Sequence, residues 1–228
     1  MESTKTGKLR CQNLLVMIMA RKIIVFGAGG HAKVVIDAIE KQGGASDILV
    51  FDDNSDLWGK QLFGYPVIGN LEKLVFEAPR LDIDYVVVAI GNIHQRLKVA
   101  KVLEGNGIQL GKVIHPTAVV SKGVEIGSGT VLFANVVVNA DSQIGAHVIV
   151  NTGATVDHDC IIGDGVHVAP GVSICGGVAI GYGSFVGVGA VIVPGVKIGS
   201  YVIIGAGSTV LNDIQDNLKV AGCPAREI

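Results

Sequence analysis

Ile144-Gly-Ala-His-Val-Ile-Val150-Asn-Thr-Gly-Ala-Thr-Val156-Asp-His-Asp-Cys-Ile-Ile162 carries a branched aliphatic at every sixth residue, and the same phase runs without a slip from Ile114 to Val210. One residue after each aliphatic the chain favours small or turn-compatible types, among them Gly127, Asn139, Gly145, Asn151, Asp157, Gly163 and Gly181. Four residues after each, as far as Ile204, come only Ala, Val, Thr, Ser or Cys. A period of six suits neither an α-helix nor a plain strand. It suits a parallel β-helix, the architecture built by hexapeptide repeats. Each hexad then forms one flat side of a triangular prism, and three hexads close a coil, so residues eighteen apart stack. The aliphatics point inward, and the small residues fit the crowded corners.

Ahead of the repeat, Lys22-Ile-Ile-Val-Phe26 reads as a buried strand, and Gly27-Ala-Gly-Gly-His-Ala32 leads into a helix with an apolar stripe of Val34, Val35, Ala38 and Ile39. Ile48-Leu-Val-Phe51 is a second strand ending in Asp52-Asp53. Tyr85 to Ile90 is a third, ending in Gly91-Asn92, and Ile93 to Glu104 is a helix. Alternation of strand and helix predicts a parallel sheet with helices packed on it. The expected organisation is a loose extension over 1–20, an α/β Rossmann-like domain over 21–111, and an all-β left-handed parallel β-helix over 112–228 whose last residues cap the final coil.

Composition narrows the function. The chain has 228 residues, half of them apolar, with 32 glycines and a net charge of −2, so it lacks the basic footprint of a nucleic-acid binder. No apolar run reaches the length of a membrane span. The four cysteines (Cys11, Cys160, Cys175 and Cys223) form no CxxC pair, which fits a reducing cytoplasm. Cys160 takes an inward small position and is assigned a packing role rather than a nucleophile's.

The Gly27-x-Gly29-x-x-Ala32 turn lets main-chain N–H groups approach a phosphate. Asp52 follows at the distance where such folds read a ribose. All three strand ends carry polar or glycine residues, and ligands bind there in open α/β sheets. The ligand expected from the small size of the domain is a nucleotide-sugar rather than NAD. Within the repeat, His158 sits between Asp157 and Asp159. A histidine held by a carboxylate is oriented and made more basic, as a general base requires. His147 is read as a solvated turn residue. His158 and His167 lie nine residues apart in one coil, half its circumference. At a strand rise of about 3.3 Å per residue they are separated by well over about 10 Å, so no metal site is expected within one chain. A site that uses both needs two chains side by side, which a closed trimer supplies.

These motifs, with Phe51-Asp-Asp53, Ala89-Ile-Gly-Asn92, Val156-Asp-His-Asp-Cys160 and Gly222-Cys-Pro-Ala-Arg226, resemble the bacterial sugar O-acyltransferase family of sialic-acid O-acetyltransferases and UDP-4-amino-sugar N-acetyltransferases. The resemblance covers the chain after about residue 20. It implies acetyl-CoA as co-substrate, a nucleotide-linked 4-amino-4,6-dideoxy sugar as acceptor, and a homotrimer with active sites between subunits. It makes His158 the base and Asp159, where many relatives carry Glu, the acid that supports it. Gly29, Gly30, His31, Asp52, Asp53 and Gly91 would contact the nucleotide-sugar. His167, Gly176, Val188 and Ala206 would line the acetyl-CoA channel, with an N–H near Gly176 on the oxyanion. The other readings are an O-acetyltransferase of sialic acid, an NAD-dependent sugar oxidoreductase and a non-enzymatic β-helix scaffold.

Overall fold

The structure, a computed structural model, describes residues 21–43 and 45–228. The extension over 1–20, with Cys11, lies outside the described residues. Strands β1 (Arg21–Phe26), β2 (Ala45–Phe51) and β3 (Tyr85–Val88) form a parallel sheet in the order β2-β1-β3. Ile23 to Phe26 are all buried, as a strand covered on both faces requires. Helix α1 (Gly30–Gln42) packs on the sheet through Ala32, Val35, Ile36, Ala38 and Ile39. Val34, expected in that stripe, is 42 % exposed; one step of about 100° separates it from Val35 and turns it to water. A helix that none of the motifs marks, α2 (Leu71–Glu77), lies between β2 and β3, and its Asn70 cap accepts the Lys73 N–H at 2.9 Å. Helix α3 (Ile93–Gly105) follows β3.

From Val113 onward the chain is a parallel β-helix of two-residue strands in three sheets. Strands pair in parallel with the hexad three positions on, as in Val137↔Thr155 and Thr155↔Ser173, so the eighteen-residue coil is the repeating unit. From Leu132 to Val210 the ladder aliphatics are buried, and they form one core with the small residues four positions after them.

The repeat holds a third phase, beyond the aliphatic and small-residue ones. Gly153, Asp159, Gly165, Gly171 and Gly177 lie three residues after an aliphatic and take left-handed φ values of 57–70°. The glycines one residue after an aliphatic have another reason. A Cβ at Gly181 would stand 2.6 Å from the Gly199 carbonyl carbon and the Ser200 nitrogen of the next coil, and a backbone contact cannot swing aside.

The buried hydroxyls bridge coils. Ser142 Oγ donates to Asp157 O (2.7 Å) and accepts from Cys160 N (3.0 Å); Ser184 does the same with Gly199 O and Val202 N. Cys160 occupies the equivalent slot, its Sγ donating to Cys175 O at 3.2 Å. Burial pushes its thiol pKa up, which fits packing and not nucleophilic attack.

One face of the prism is covered by the α/β region: Val113, Val131, Phe133 and Ile149 share a core with Ile23, Val25, Val35 and Ile39. At the far end, Lys219–Ala221 adds to the last coil in parallel, and Arg226–Glu227 folds back on it antiparallel.

Candidate active site

The C-terminal ends of β1, β2 and β3 open into a cleft of about 660 Å³ lined by Gly29, Gly30, His31, Asp52, Asp53 and Gly91, together with Asn92, Gln95 and Lys98. Thus all six residues singled out for the nucleotide-sugar lie in one cavity. Parallel strand order explains the convergence, because the β2-β1-β3 arrangement leaves a crevice where the connections diverge. A Cβ at Gly29 or Gly30 would meet nothing within 4 Å, so these glycines leave room for a ligand. The two aspartates also hold the cleft wall. Asp52 accepts from the N–H of Ala28 (2.6 Å) and of Asn54 (2.8 Å), and Asp53 accepts from Leu71 N at the start of α2 (2.9 Å).

The second place is a corner of the prism. His158 Nδ1 lies 2.7 Å from Asp159 Oδ2, and both side chains are well exposed. Asp157 accepts from the His158 N–H (2.9 Å) and from Asn139 Nδ2 (2.8 Å), which fixes the turn from its other side. The Asp159 hydrogen bond, then the Asp157 charge, raises the His158 pKa above its ordinary 6.5. With Nδ1–H given to Asp159, the Nε2 lone pair is free. It lies over Gly176 of the next coil, where a Cβ would come within 2.7 Å of Nε2 and Cε1. The Gly176 N–H donates to no acceptor among the described residues.

The four residues assigned to acetyl-CoA are spread around one chain. Gly176 lies under His158. Val188 and Ala206 stack one coil apart on a different corner, both exposed, with the Gly207 N–H on Val188 O at 2.8 Å. His167 lies on the covered face, its Nδ1 3.3 Å from Gly91 O and its ring edge-on to Phe185. His31 approaches it, with ring centroids 6.4 Å apart. Burial, reinforced by the Arg96 charge, lowers the pKa of each to about 4.

That seam overturns one expectation and adds one residue. His147 is not a solvated turn residue: it is 8 % exposed and its Nε2 lies 3.1 Å from Glu104 Oε1, because α3 closes over its corner. Arg96, which belongs to none of the motifs, is 1 % exposed and bonds to the β-helix on one side and to the loop after β3 on the other. A signal for it existed. Arg96, Val99, Ala100 and Leu103 are the buried face of α3, at spacings of three, four and seven.

The neutral rings predict acid sensitivity. Between pH 6.5 and about 4 the unfolded chain binds protons at His31 and His167 that the folded chain does not, so stability falls as pH falls through that window. Thermal melts should show the drop, and His167→Asn should flatten its slope. A midpoint constant across the window would contradict the burial of two neutral rings.

Among the described residues no group of three or more His, Cys, Asp or Glu could hold a metal, and no helix is long and apolar enough to cross a membrane.

Comparison with known proteins places this architecture. Residues 22–103 match the PglD N-terminal domain. The acetyltransferase domain of PglB from Neisseria gonorrhoeae FA1090, solved with acetyl coenzyme A, is 40 % identical; the match covers 92 % of this chain and 100 % of that one, with a TM-score of 0.86. PerB from Caulobacter crescentus, solved with CoA and GDP-perosamine, is 39 % identical over 91 % of this chain and 97 % of that one, with a TM-score of 0.85. A curated relative, UDP-N-acetylbacillosamine N-acetyltransferase of Bacillus subtilis (strain 168), is 38 % identical over 110 residues, 47 % of this chain and 49 % of that protein. The chain therefore spans about half the length of that curated relative. An α/β region set against a left-handed β-helix is the architecture of the hexapeptide-repeat acyltransferases, which are enzymes. The chain belongs to the sugar acyltransferase family of that group.

Proposed function

We propose that this chain transfers an acetyl group from acetyl-CoA to the amine of a nucleotide-linked 4-amino-4,6-dideoxy sugar. The observation that carries the reading is the His158 imidazole, oriented by Asp159 at one nitrogen and open at the other beside the Gly176 N–H, which has no acceptor among the described residues. Residues 21–111 form the nucleotide-sugar domain, with Gly29, Gly30, His31, Asp52, Asp53 and Gly91 on the ligand. Residues 112–228 form the acetyltransferase domain and its cap. The relatives support both ligand classes, since PglB is solved with acetyl coenzyme A and PerB with CoA and GDP-perosamine.

The amine attacks the thioester carbonyl directly. A C–N bond forms and His158 Nε2 takes the amine proton; the C–S bond then breaks, and the imidazolium returns that proton to the departing sulfur, so CoA leaves as the thiol and His158 is neutral again. The oxyanion in between is stabilised by the Gly176 N–H. Asp159 holds the imidazolium that results.

The site is completed between subunits of a homotrimer. One outer face of the prism, with Val119, Val137, Thr155, Ser173 and Val191 pointing outward, is bordered by the His158–Gly176 corner on one side and the Val188–Ala206 corner on the other. Pairing such faces brings the base of one chain to the second corner of its neighbour, a heterologous contact that closes as a ring. The setting is bacterial surface-glycan biosynthesis in the cytoplasm. Incubation with acetyl-CoA and a panel of UDP-, GDP- and dTDP-linked 4-amino sugars, followed by thiol release, tests the reading. Release should require one of these amines. Release with free sialic acid instead would favour O-acetylation, and no release with any acceptor would refute the transferase.

A further inference from the structure

Arg96 is the largest fully buried side chain among the described residues, yet none of its hydrogen bonds goes to a carboxylate. All four acceptors are main-chain carbonyls. Nε donates to His147 O (3.0 Å) and one terminal nitrogen to Gly165 O (2.9 Å). The other terminal nitrogen donates to Ile90 O (3.0 Å) and Gly91 O (3.1 Å). His147 and Gly165 are the same corner in successive coils. Ile90 and Gly91 belong to the loop that leaves β3 and lines the cleft.

A trans peptide is planar, with its N–H opposite its C=O. Carbonyls of Ile90 and Gly91 held on the guanidinium therefore turn the N–H groups of Gly91 and Asn92 the other way. Neither N–H donates to an acceptor among the described residues, and both residues line the cleft. The Gly91 carbonyl is held a second time, by His167 Nδ1 at 3.3 Å.

We propose that Arg96 is a positioning residue of the cleft: by pinning the Ile90 and Gly91 carbonyls to the β-helix, it aims two main-chain donors at a diphosphate lying between them and Gly29-Gly30. The inference rests on the nucleotide-sugar reading above and assigns one residue of that site a role the motifs do not. Arginine suits the task because its planar fork reaches two elements at once, whereas lysine is a point donor on a flexible stem. Its uncompensated positive charge also favours an anion on the far side of the loop. A brace alone would not need a buried cation, which is costly without a counter-ion.

The test compares Arg96→Lys with the unaltered protein by calorimetric titration with UDP, GDP, dTDP and acetyl-CoA, by thermal melting, and by crystal structure. Loss of two aimed donors to a phosphate should weaken the nucleoside diphosphate that binds by roughly 10–100-fold. Acetyl-CoA should stay within about twofold. The peptides at 90–92 should rotate in the variant's crystal structure. Unchanged diphosphate affinity would overturn the proposal. So would parallel loss of both ligands with a lowered Tm, the signature of a brace. If the unaltered protein binds none of the three nucleotides, the functional reading is what fails. The crystal structure still decides the fate of Arg96, since unrotated peptides would count against it.

Discussion

His158→Ala should lower kcat by about 10²–10⁴-fold while leaving the fold and both ligand affinities in place. The side chain is exposed and contributes nothing to the core, so its loss removes a proton acceptor and little else. Steady-state kinetics with a melt on the same sample checks this, and a variant with unimpaired turnover would remove the role. The pH dependence supplies a sharper version. A general base works only when neutral, and the Asp159 hydrogen bond raises the His158 pKa above 6.5. The acidic limb of kcat/KM should therefore bend above that value. In Asp159→Asn the bond to a charged acceptor is lost, so the limb should move to lower pH and the plateau should fall with the weaker base. A limb that stays where it was would mean that another group sets it.

Ile144→Ala should cost about 2–5 kcal/mol of stability, whereas Gln143→Ala on the same two-residue strand should stay within about 0.5 kcal/mol. Ile144 is 3 % exposed, stacked between Ile126 and Ile162 in the inner ladder. Gln143 points out to water. The contrast comes from the alternation of a strand compressed into two residues, and denaturant titration of the pair measures it. Equal losses would mean that the aliphatic ladder is not what holds the coils together.

The same ladder explains what was legible in the sequence. Its aliphatics and the small residues behind them both face a narrow interior, so each hexad repeats the same two restrictions and the period shows through. Glycines of the cleft were legible for a related reason: Gly29 and Gly30 mark where a side chain would fill ligand space. His158 stood out because its two acids are adjacent in the chain. The left-handed corner phase was harder to see. Asp141, His147, Asp159 and Tyr201 all adopt it alongside the glycines, so no single residue type marks it. Least legible was the seam. Arg96 meets carbonyls 51 and 69 residues away, and Glu104 meets His147, so neither partner can be found from spacing along the chain. His167 is a caution of the same kind, since hexad counting gives its place in the coil but not the α/β region that covers it.

The tail has a consequence beyond closing the prism. A stack of parallel coils is a template, since each rung offers the next an unpaired row of donors and acceptors, and nothing in the repeat itself says where to stop. In one of the three sheets the strand Arg226–Glu227 runs against the direction of the rungs below it and leaves a charged, reversed edge there. A molecule shorn of that edge would present a parallel strand to its copies on this sheet as well, adding a template for end-to-end growth. On that sheet the reversed strand thus acts as a terminator in the polymer sense, denying the next rung a parallel template.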